Sequence, residues 1–342
     1  MGALAPHAVN AVRVIHPMNK LIVMESVPHE DAAIEVYPTP DDWAAAAQEL
    51  VATMVHRWDL TAGVAFGGGV TGVALAVTQR DGSPAVLKIG FPHPEGKWEA
   101  VGLQSFAGSA PAVLRQDAWT WSLLLERVTP GTPLTTRGLP ARDALEIGGR
   151  LHLEMAAASP PDCIPRLGDE MTLYAGRAAA RLDAQQAWFE QHGVADLVRL
   201  GVQEMVDLAS TTSGTSLLHG DFNPGNILES EDGRWMTVDP KPLVGDRAYD
   251  LWPLISQVGV HHVGDHQIDA PYMTADGAPT PGRLEDHLCI AASAAEVDPE
   301  RTARWAFART ALSVTWLLEA GFESKAERDC TALQAWASVS AL

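Results

Sequence analysis

Three cysteines, Cys163, Cys289 and Cys330, are all that 342 residues contain, and they are odd in number and far apart. Neither a disulfide framework nor the paired spacing of a zinc site can be written on them, so a reducing cytoplasm is the expected home. Long apolar runs are missing too. No stretch reaches the roughly 18 uncharged apolar residues of a membrane-spanning helix. Basic side chains are scarce: 24 Lys plus Arg stand against 43 Asp plus Glu, a formal net charge of -19. Such a surface repels nucleic acid and anionic membranes, which excludes both as expected partners, and it attracts cationic ligands. Residues 1–26 hold no continuous apolar segment ending in a small-residue cleavage site, so they do not read as a signal peptide. They read as part of an N-terminal extension, residues 1–40. No internal repeat is visible.

What is present is globular. Hydrophobic residues make up 46% and charged residues 20%, enough to bury a sizeable core, and the length fits two linked lobes. Apolar groups at helical spacing behind Asp41 and Asp42 predict a helix over 41–57. Two β-rich runs, 70–78 and 85–90, flank the turn residues Arg80, Asp81, Gly82 and Ser83 and predict a hairpin. A short helix is expected over 97–108, and two strands within 110–128 with a turn at Gln116 and Asp117. The Pro-, Gly- and Thr-rich stretch 129–140 marks a lobe boundary. Beyond it, helical spacing dominates at 141–157, 170–192, 194–209, 300–321 and 325–339. Strand-like runs recur only at 227–228 and 235–239, and 259–283 is expected to be an irregular loop. The organisation read from this is an extension (1–40), a first lobe of mostly antiparallel sheet (41–128) and a larger, mainly helical second lobe (129–342).

One stretch stands out. "SLLHGDFNPGNIL" (216–228) places a polar, turn-forming segment between two apolar runs. Asp221, Asn226 and, at the end of the next strand-like run, Asp239 are each next to a short β segment and a turn. A carboxamide and a carboxylate converging at one end of a small hairpin suit a hard cation such as Mg²⁺, which takes oxygen ligands and leaves places for water and phosphate. Asp221, kept free of metal, is then suited to orient a hydroxyl and accept its proton.

At these residues a resemblance enters. "HGDFNPGN" (219–226) resembles the catalytic loop His-x-Asp-x4-Asn shared by protein kinases and the aminoglycoside phosphotransferases, the latter having Gly where the former have Arg. "VDPKPLVGDRAYDLWPL" (238–254) resembles the segment that follows in the streptomycin 6-phosphotransferase branch, the aminoglycoside/hydroxyurea resistance kinases. "VLKIGFP" (86–92), "WEAVGLQSF" (98–106), "LLLERVTPGTPL" (123–134) and "TWLLEAG" (315–321) extend the likeness over most of 45–325.

The resemblance implies an α+β, two-lobed protein-kinase-like fold and transfer of a phosphoryl group from ATP, with GTP as an alternative, to a hydroxyl of a small molecule. An aminoglycoside such as streptomycin is the implied acceptor, and its cationic groups suit the acidic chain. It implies Asp221 as catalytic base, Asn226 and Asp239 as Mg²⁺ ligands, Lys88 on the nucleotide phosphates and Glu99 as the partner that orients Lys88. Glu126 to Val128 would be the hinge that bonds the nucleotide base. Gly68 and Gly69, in "FGGGVTG" (66–72), stand where a phosphate-covering loop belongs, although the Gly-x-Gly-x-x-Gly spacing is absent. Lys241, where protein kinases have Gly, suits contact with phosphate or an acidic neighbour.

Among the remaining polar residues, His219 reads as structural, packed under its loop. Asp246 and Asp250 read as braces of the catalytic loop or caps of the helix behind it, with Asp250 retained as a substrate candidate. Trp305 and Trp316 read as core in the last helices, while Trp316 and Glu319 are also candidate substrate contacts. His261, His262 and His266 read as a solvated loop. A monomer is expected. Two other readings stay open: a metabolic kinase of the same fold acting on another small alcohol or sugar, and a nucleotide-binding pseudokinase scaffold.

Overall fold

Helix formation behind the acidic pair is the first expectation met: α1 spans Pro40–Arg57, after a short antiparallel pairing of β1 (Arg13–Ile15) with β2 (Leu21–Val23). The computed structural model describes residues 13–15, 21–23, 40–66, 72–212, 214–263, 266–274 and 278–340, with backbone alone at 13–15, 21–23, 40–45, 261–263 and 266–269. The chain divides into two compact units, Met1–Ala100 with Ala112–Arg127, and Val101–Pro111 with Val128–Leu342.

The first unit is built on one antiparallel sheet in the order β3-β4-β5-β7-β6. Its strands are β3 (Thr61–Phe66), β4 (Gly72–Thr78), β5 (Pro84–Gly90), β6 (Val113–Asp117) and β7 (Ser122–Glu126). Strand β3 was not expected. All six of its residues are exposed and it pairs only with β4, so no alternation of buried and exposed positions announces it. The second turn also differs from expectation. Gln116 and Asp117 stay paired with Leu123 and Ser122, and the reversal falls at 118–121, because Asp117 Oδ1 accepts the N–H groups of Trp119 (3.0 Å) and Thr120 (3.2 Å). Asx-type bonding of this kind draws the turn to the residues after the Asp.

Alternation on β5 decides what its two faces do. Ala85, Leu87 and Ile89 are fully buried in a cluster with Ala47 and Met54 of α1, Leu75 and Val77 of β4 and Leu124 of β7. Period-two geometry therefore turns Val86 and Lys88 to the face away from that core. A 3-10 turn (Pro94–Trp98) and the helix α2 (Glu99–Ser105) follow.

The long segment of the second unit, Val128–Leu342, soon enters a strand. β8 (Pro130–Pro133), inside the stretch read as a boundary, pairs with β10 (Ile227–Ser230), which also pairs with β11 (Trp235–Thr237). β9 (Ser216–Leu218) pairs with β12 (Leu243–Gly245). These strands of three or four residues are too short to show a period. The helices are α3 (Ala141–Met155), α4 (Leu167–Ala184), α5 (Gln186–Gln191), α6 (Ala195–Thr211), α7 (Trp252–Gln257), α8 (Pro281–Ala295), α9 (Pro299–Glu319) and α10 (Glu323–Val339). The segment expected as one helix over 170–192 is thus two, broken at Gln185, whose φ of -122° leaves the helical range. The segment 259–283 is not wholly irregular: β13 (His261–Val263) pairs with β14 (His266–Asp269), and Pro281 opens α8. The side chains of the three histidines there lie outside the described residues.

A core of Leu167, Met171, Met205, Leu208, Tyr249 and Trp305 holds α4, α6, the segment before α7 and α9 together. Trp305 is fully buried as expected, but Trp316 is 49% exposed. It stands on the outer side of α9, tilted against exposed Phe322 at 6.4 Å, so the core expectation for it does not hold.

Between α9 and α10, Ser313 donates to Asp329 Oδ2 at 2.6 Å. Burial pushes the Asp329 carboxyl up to about 6, against the opposing pull of the Ser313 bond, Arg328 and Lys325. A carboxyl whose folded value is raised favours folding only while it is protonated. Its contribution is full below about pH 4 and lost as pH climbs through about 6. Asp329→Asn is therefore expected to stabilise the protein by about 1–2 kcal/mol at pH 8, with no gain at pH 4. Melting curves of parent and variant across that range check it, and a gain independent of pH would contradict it.

Candidate active site

The catalytic-loop candidate, 219–226, joins β9 to β10 through a 3-10 turn at Pro224–Asn226. Asn223 caps that turn: its Oδ1 accepts the N–H groups of Gly225 (2.9 Å) and Asn226 (3.2 Å), with Pro224 in the first helical position, where a missing N–H costs nothing. Phe222 anchors the loop below. It is fully buried and packs between the rings of His152 (5.6 Å) and His219 (5.5 Å).

Beneath the loop every hydrogen bond is specific. Asp250, with no exposed surface, accepts the backbone N–H of His219 at 2.6 Å and of Gly220 at 2.7 Å, one on each oxygen. His219 Nδ1 accepts the Asp221 N–H (3.3 Å), so its ring must be neutral with the proton on Nε2, which donates to the Val238 carbonyl at 3.0 Å. Burial lowers its pKa against the pull of Asp250, Asp221 and Asp239, which favours the same neutral form. His152, buried 3.8 Å from Asp250, is lowered to about 4, again by burial first. His219 is the structural residue that its position suggested. Asp250 is a brace: both its oxygens serve the loop backbone, and its side chain has no exposed surface. Asp246 caps the next turn through Ala248 (3.0 Å), accepts from Trp305 Nε1 (3.0 Å) and pairs with Arg301.

Gly220 explains why the loop has no side chain at its second position. Its φ is +81°, and a Cβ there would lie 1.9 Å from the carbonyl oxygen of Lys241. Both the left-handed backbone and the close approach demand glycine. Gly102 of α2 permits a lesser close approach at the segment opposite: a Cβ there would meet Pro242 at 3.1 Å and Pro240 at 3.2 Å.

Three of the predicted residues are brought together. The antiparallel register Ile227 to Thr237, extended by the bond from Val238 N–H to the Asn226 carbonyl (2.9 Å), places Asn226 and Asp239 just beyond the same end of the β10–β11 hairpin. Asn226 Nδ2 donates to the Asp221 carbonyl at 3.0 Å. A carbonyl can only accept, so the amide nitrogen must face it, and Oδ1 is left to accept from elsewhere. Asp239 has φ +57°, a left-handed conformation that costs on the order of 1 kcal/mol or more and that structures keep at functional sites. One amide oxygen and one carboxylate make a fitting partial donor set for Mg²⁺, which completes its shell with water and phosphate. Among the described residues there is no group of three or more His, Cys, Asp or Glu placed to hold a metal ion by themselves.

Asp221 is held by both oxygens. Oδ2 pairs with Lys241 Nζ at 2.9 Å, and Oδ1 accepts from Asn223 Nδ2 at 3.1 Å. Burial pushes this carboxyl up, but the charge and hydrogen bond of Lys241, then the Asn223 bond, outweigh it, so the net shift is downward and the group is ionised at neutral pH. Of the two partners that Lys241 suits, the structure shows the acidic one.

In the first unit, Lys88 Nζ meets Glu99 Oε1 at 2.6 Å, with 14% and 9% of the side chains exposed. Glu126 closes β7 and accepts the Ala112 N–H at 3.2 Å through its side chain. Val128 opens the longer segment of the second unit. Gly68 and Gly69 lie outside the described residues. Glu319 is paired with Arg181 at 2.6 Å, and it and Trp316 are not drawn to the 219–226 loop by any contact of the described residues. Sequence reading did not single out Asn223, whose Asn-Pro-Gly context is a capping signal, or Arg309. The latter stacks on Tyr249 (3.9 Å) and Trp252 (4.7 Å) and donates to the carbonyls of Tyr249 (2.9 Å) and Gly220 (3.4 Å); a lone Arg in a long helix gives no signal of that.

Comparison with known proteins bears on the same residues. The model of the aminoglycoside/hydroxyurea antibiotic resistance kinase family matches residues 57–321. A streptomycin 6-kinase of Streptomyces glaucescens is 27% identical over 281 residues, 82% of this chain and 85% of that protein. A hydroxyurea phosphotransferase of Kitasatospora aureofaciens is 33% identical over 213 residues, 60% of this chain and 59% of that protein. Among solved structures, the GDP complex of an aminoglycoside 2'-phosphotransferase aligns with a TM-score of 0.55 and 14% identity over 85% of this chain and 97% of that one. Identity that low speaks for the fold alone, which is protein-kinase-like, with an antiparallel sheet in the N-terminal part and a helical C-terminal part. Because the matched span takes in Lys88, Glu99, the whole loop and Asp239, the chain belongs to the aminoglycoside/hydroxyurea antibiotic resistance kinase family.

Proposed function

We propose that this protein transfers the γ-phosphoryl group of ATP, or of GTP, to a hydroxyl of a small molecule, and that an aminoglycoside of the streptomycin type is the acceptor. The observation that carries this is the Asp221 carboxylate, ionised and held by both oxygens on a loop whose other end presents Asn226 next to Asp239. Asp221 would accept the hydrogen bond of the acceptor hydroxyl, align it for in-line attack and take its proton as the new P–O bond forms. Asn226 Oδ1 and the Asp239 carboxylate would hold a Mg²⁺ ion, which when bound neutralises charge on the triphosphate. Lys88, oriented by its 2.6 Å pairing with Glu99, would pair with nucleotide phosphate oxygens. Relatives of the streptomycin 6-kinase type and the net charge of -19 support a cationic acceptor. The intact set of five residues speaks against a scaffold without activity.

The hydroxyurea phosphotransferase likeness, at higher identity over a shorter span, favours a second reading, in which the acceptor is a small hydroxamate-like or alcohol compound. An assay with ATP or GTP, Mg²⁺ and a panel of streptomycin, other aminoglycosides, hydroxyurea and sugar alcohols decides between them. Nucleotide binding with no turnover of any acceptor would leave the scaffold reading standing instead.

A test that needs no acceptor concerns Lys88. Lys88→Ala is expected to weaken nucleotide triphosphate binding by about 10-fold or more, the loss of one well-placed charge-assisted contact, while binding of the nucleoside alone is unchanged. Calorimetry with ATP and adenosine reads both. Equal affinity of parent and variant for ATP would remove Lys88 from the phosphate site.

A further inference from the structure

Lys241 is fixed to the catalytic loop more firmly than an ordinary surface lysine. Its N–H donates to the His219 carbonyl at 2.7 Å. Its own carbonyl fills the space in which Gly220 would carry a Cβ. Prolines on either side, Pro240 and Pro242, restrict its backbone and pack against Gly102. Its ammonium then reaches Asp221 Oδ2 at 2.9 Å, with each side chain less than a third exposed, 28% and 29%.

A surface ion pair contributes little to stability and needs no such mounting. Here glycine at 220, two prolines and a backbone hydrogen bond all serve to bring one cation to one oxygen of the proposed base. The other oxygen is held by Asn223. Two donors on two oxygens fix the plane and rotamer of a carboxylate that would otherwise turn about its side-chain bonds.

We propose that Lys241 is a positioning residue for phosphoryl transfer, its ammonium clamping Oδ2 of Asp221 so that the carboxylate meets the acceptor hydroxyl in a single orientation. The inference rests on the phosphotransferase reading above. Proton and phosphoryl follow the course already given: the hydroxyl proton passes to Asp221, the hydroxyl oxygen bonds to phosphorus, and the nucleoside diphosphate leaves with the electron pair of the broken P–O bond. Lys241 contributes orientation and neither gains nor loses a proton.

Lys241→Met is expected to lower kcat on the order of 10²-fold, the usual consequence of a misplaced reacting group, with KM for nucleotide within about twofold and a melting temperature near that of the parent. Lys241→Arg, which keeps the charge, is expected to recover most of the loss. In an Asp221→Asn background, Lys241→Met is expected to add less than about threefold, because a residue acting through Asp221 has nothing left to position. Full additivity of the two losses, or parental kcat in Lys241→Met, overturns the proposal. Crystal structures of the three proteins give a readout independent of any acceptor: Asp221 in one rotamer in the parent and in Lys241→Arg, and in two or more in Lys241→Met. One rotamer throughout overturns the proposal even where no acceptor is turned over, whereas absence of turnover with the rotamers as expected sinks only the phosphotransfer reading.

Discussion

Asp221→Asn is expected to lower kcat about 10³-fold, within the range for loss of a general base, and to leave the fold intact. The asparagine oxygen still accepts from Lys241 or Asn223, and the bonds that shape the loop run through the backbone and through Asp250, not through the carboxylate. What is lost is the capacity to take a proton and the charge that aligns the hydroxyl. Nucleotide affinity is expected to stay close to the parent value, since the proposed phosphate and metal groups are untouched. Steady-state kinetics with the acceptor identified in the panel, together with calorimetric nucleotide titration, separates these terms. Parental kcat in Asp221→Asn, or in Asp221→Ala, removes the proposed mechanism.

The second large effect is expected from beneath the loop. Asp250→Asn keeps the shape of the side chain but turns one acceptor into a donor. One of the two buried N–H groups, of His219 or Gly220, then faces an NH₂ group where it had a carboxylate oxygen at 2.6 or 2.7 Å. An unsatisfied buried donor costs about 1–3 kcal/mol, and charge-assisted bonds lie at the upper end. With a donor-donor contact added, the total is expected at about 3–5 kcal/mol, comparable to breaking a buried ion pair. Thermal or urea unfolding of the variant measures it. Activity is expected to fall with stability, because the left-handed Gly220 conformation loses its anchor. A variant that melts like the parent would mean that Asp250 does not hold the loop.

How much of this could be read from sequence follows from which interactions are local. Asp221, Asn226 and Asp239 could be placed because their signals are short-range: turn residues between apolar runs, and a strand that brings two ends together. Lys88 and Glu99 came through the resemblance and are paired as it implied. Strand β3 escaped because an exposed edge strand has no buried alternate positions to betray it. Helix α8 and strand β8 went unread because elements there are held by partners distant in the chain, such as β10 pairing with β8. Trp316 was assigned to the core on residue type, although its helix turns that position outward. The identity of the partner of Lys241 was open for the same reason: twenty residues separate it from Asp221, and only the fold closes the gap.

The β10–β11 hairpin has a further consequence, for how a site of this kind tolerates change over evolutionary time. Its exposed turn, at 231–233, lies at the end opposite to Asn226 and Asp239. Insertions or deletions there alter the count of residues between the two ligand candidates without moving either, since their proximity is set by strand pairing. A shift of one position within a strand does the reverse, preserving the count and separating the pair. Spacing along the chain is thus free to change in this structure, and pairing register is what has to be kept.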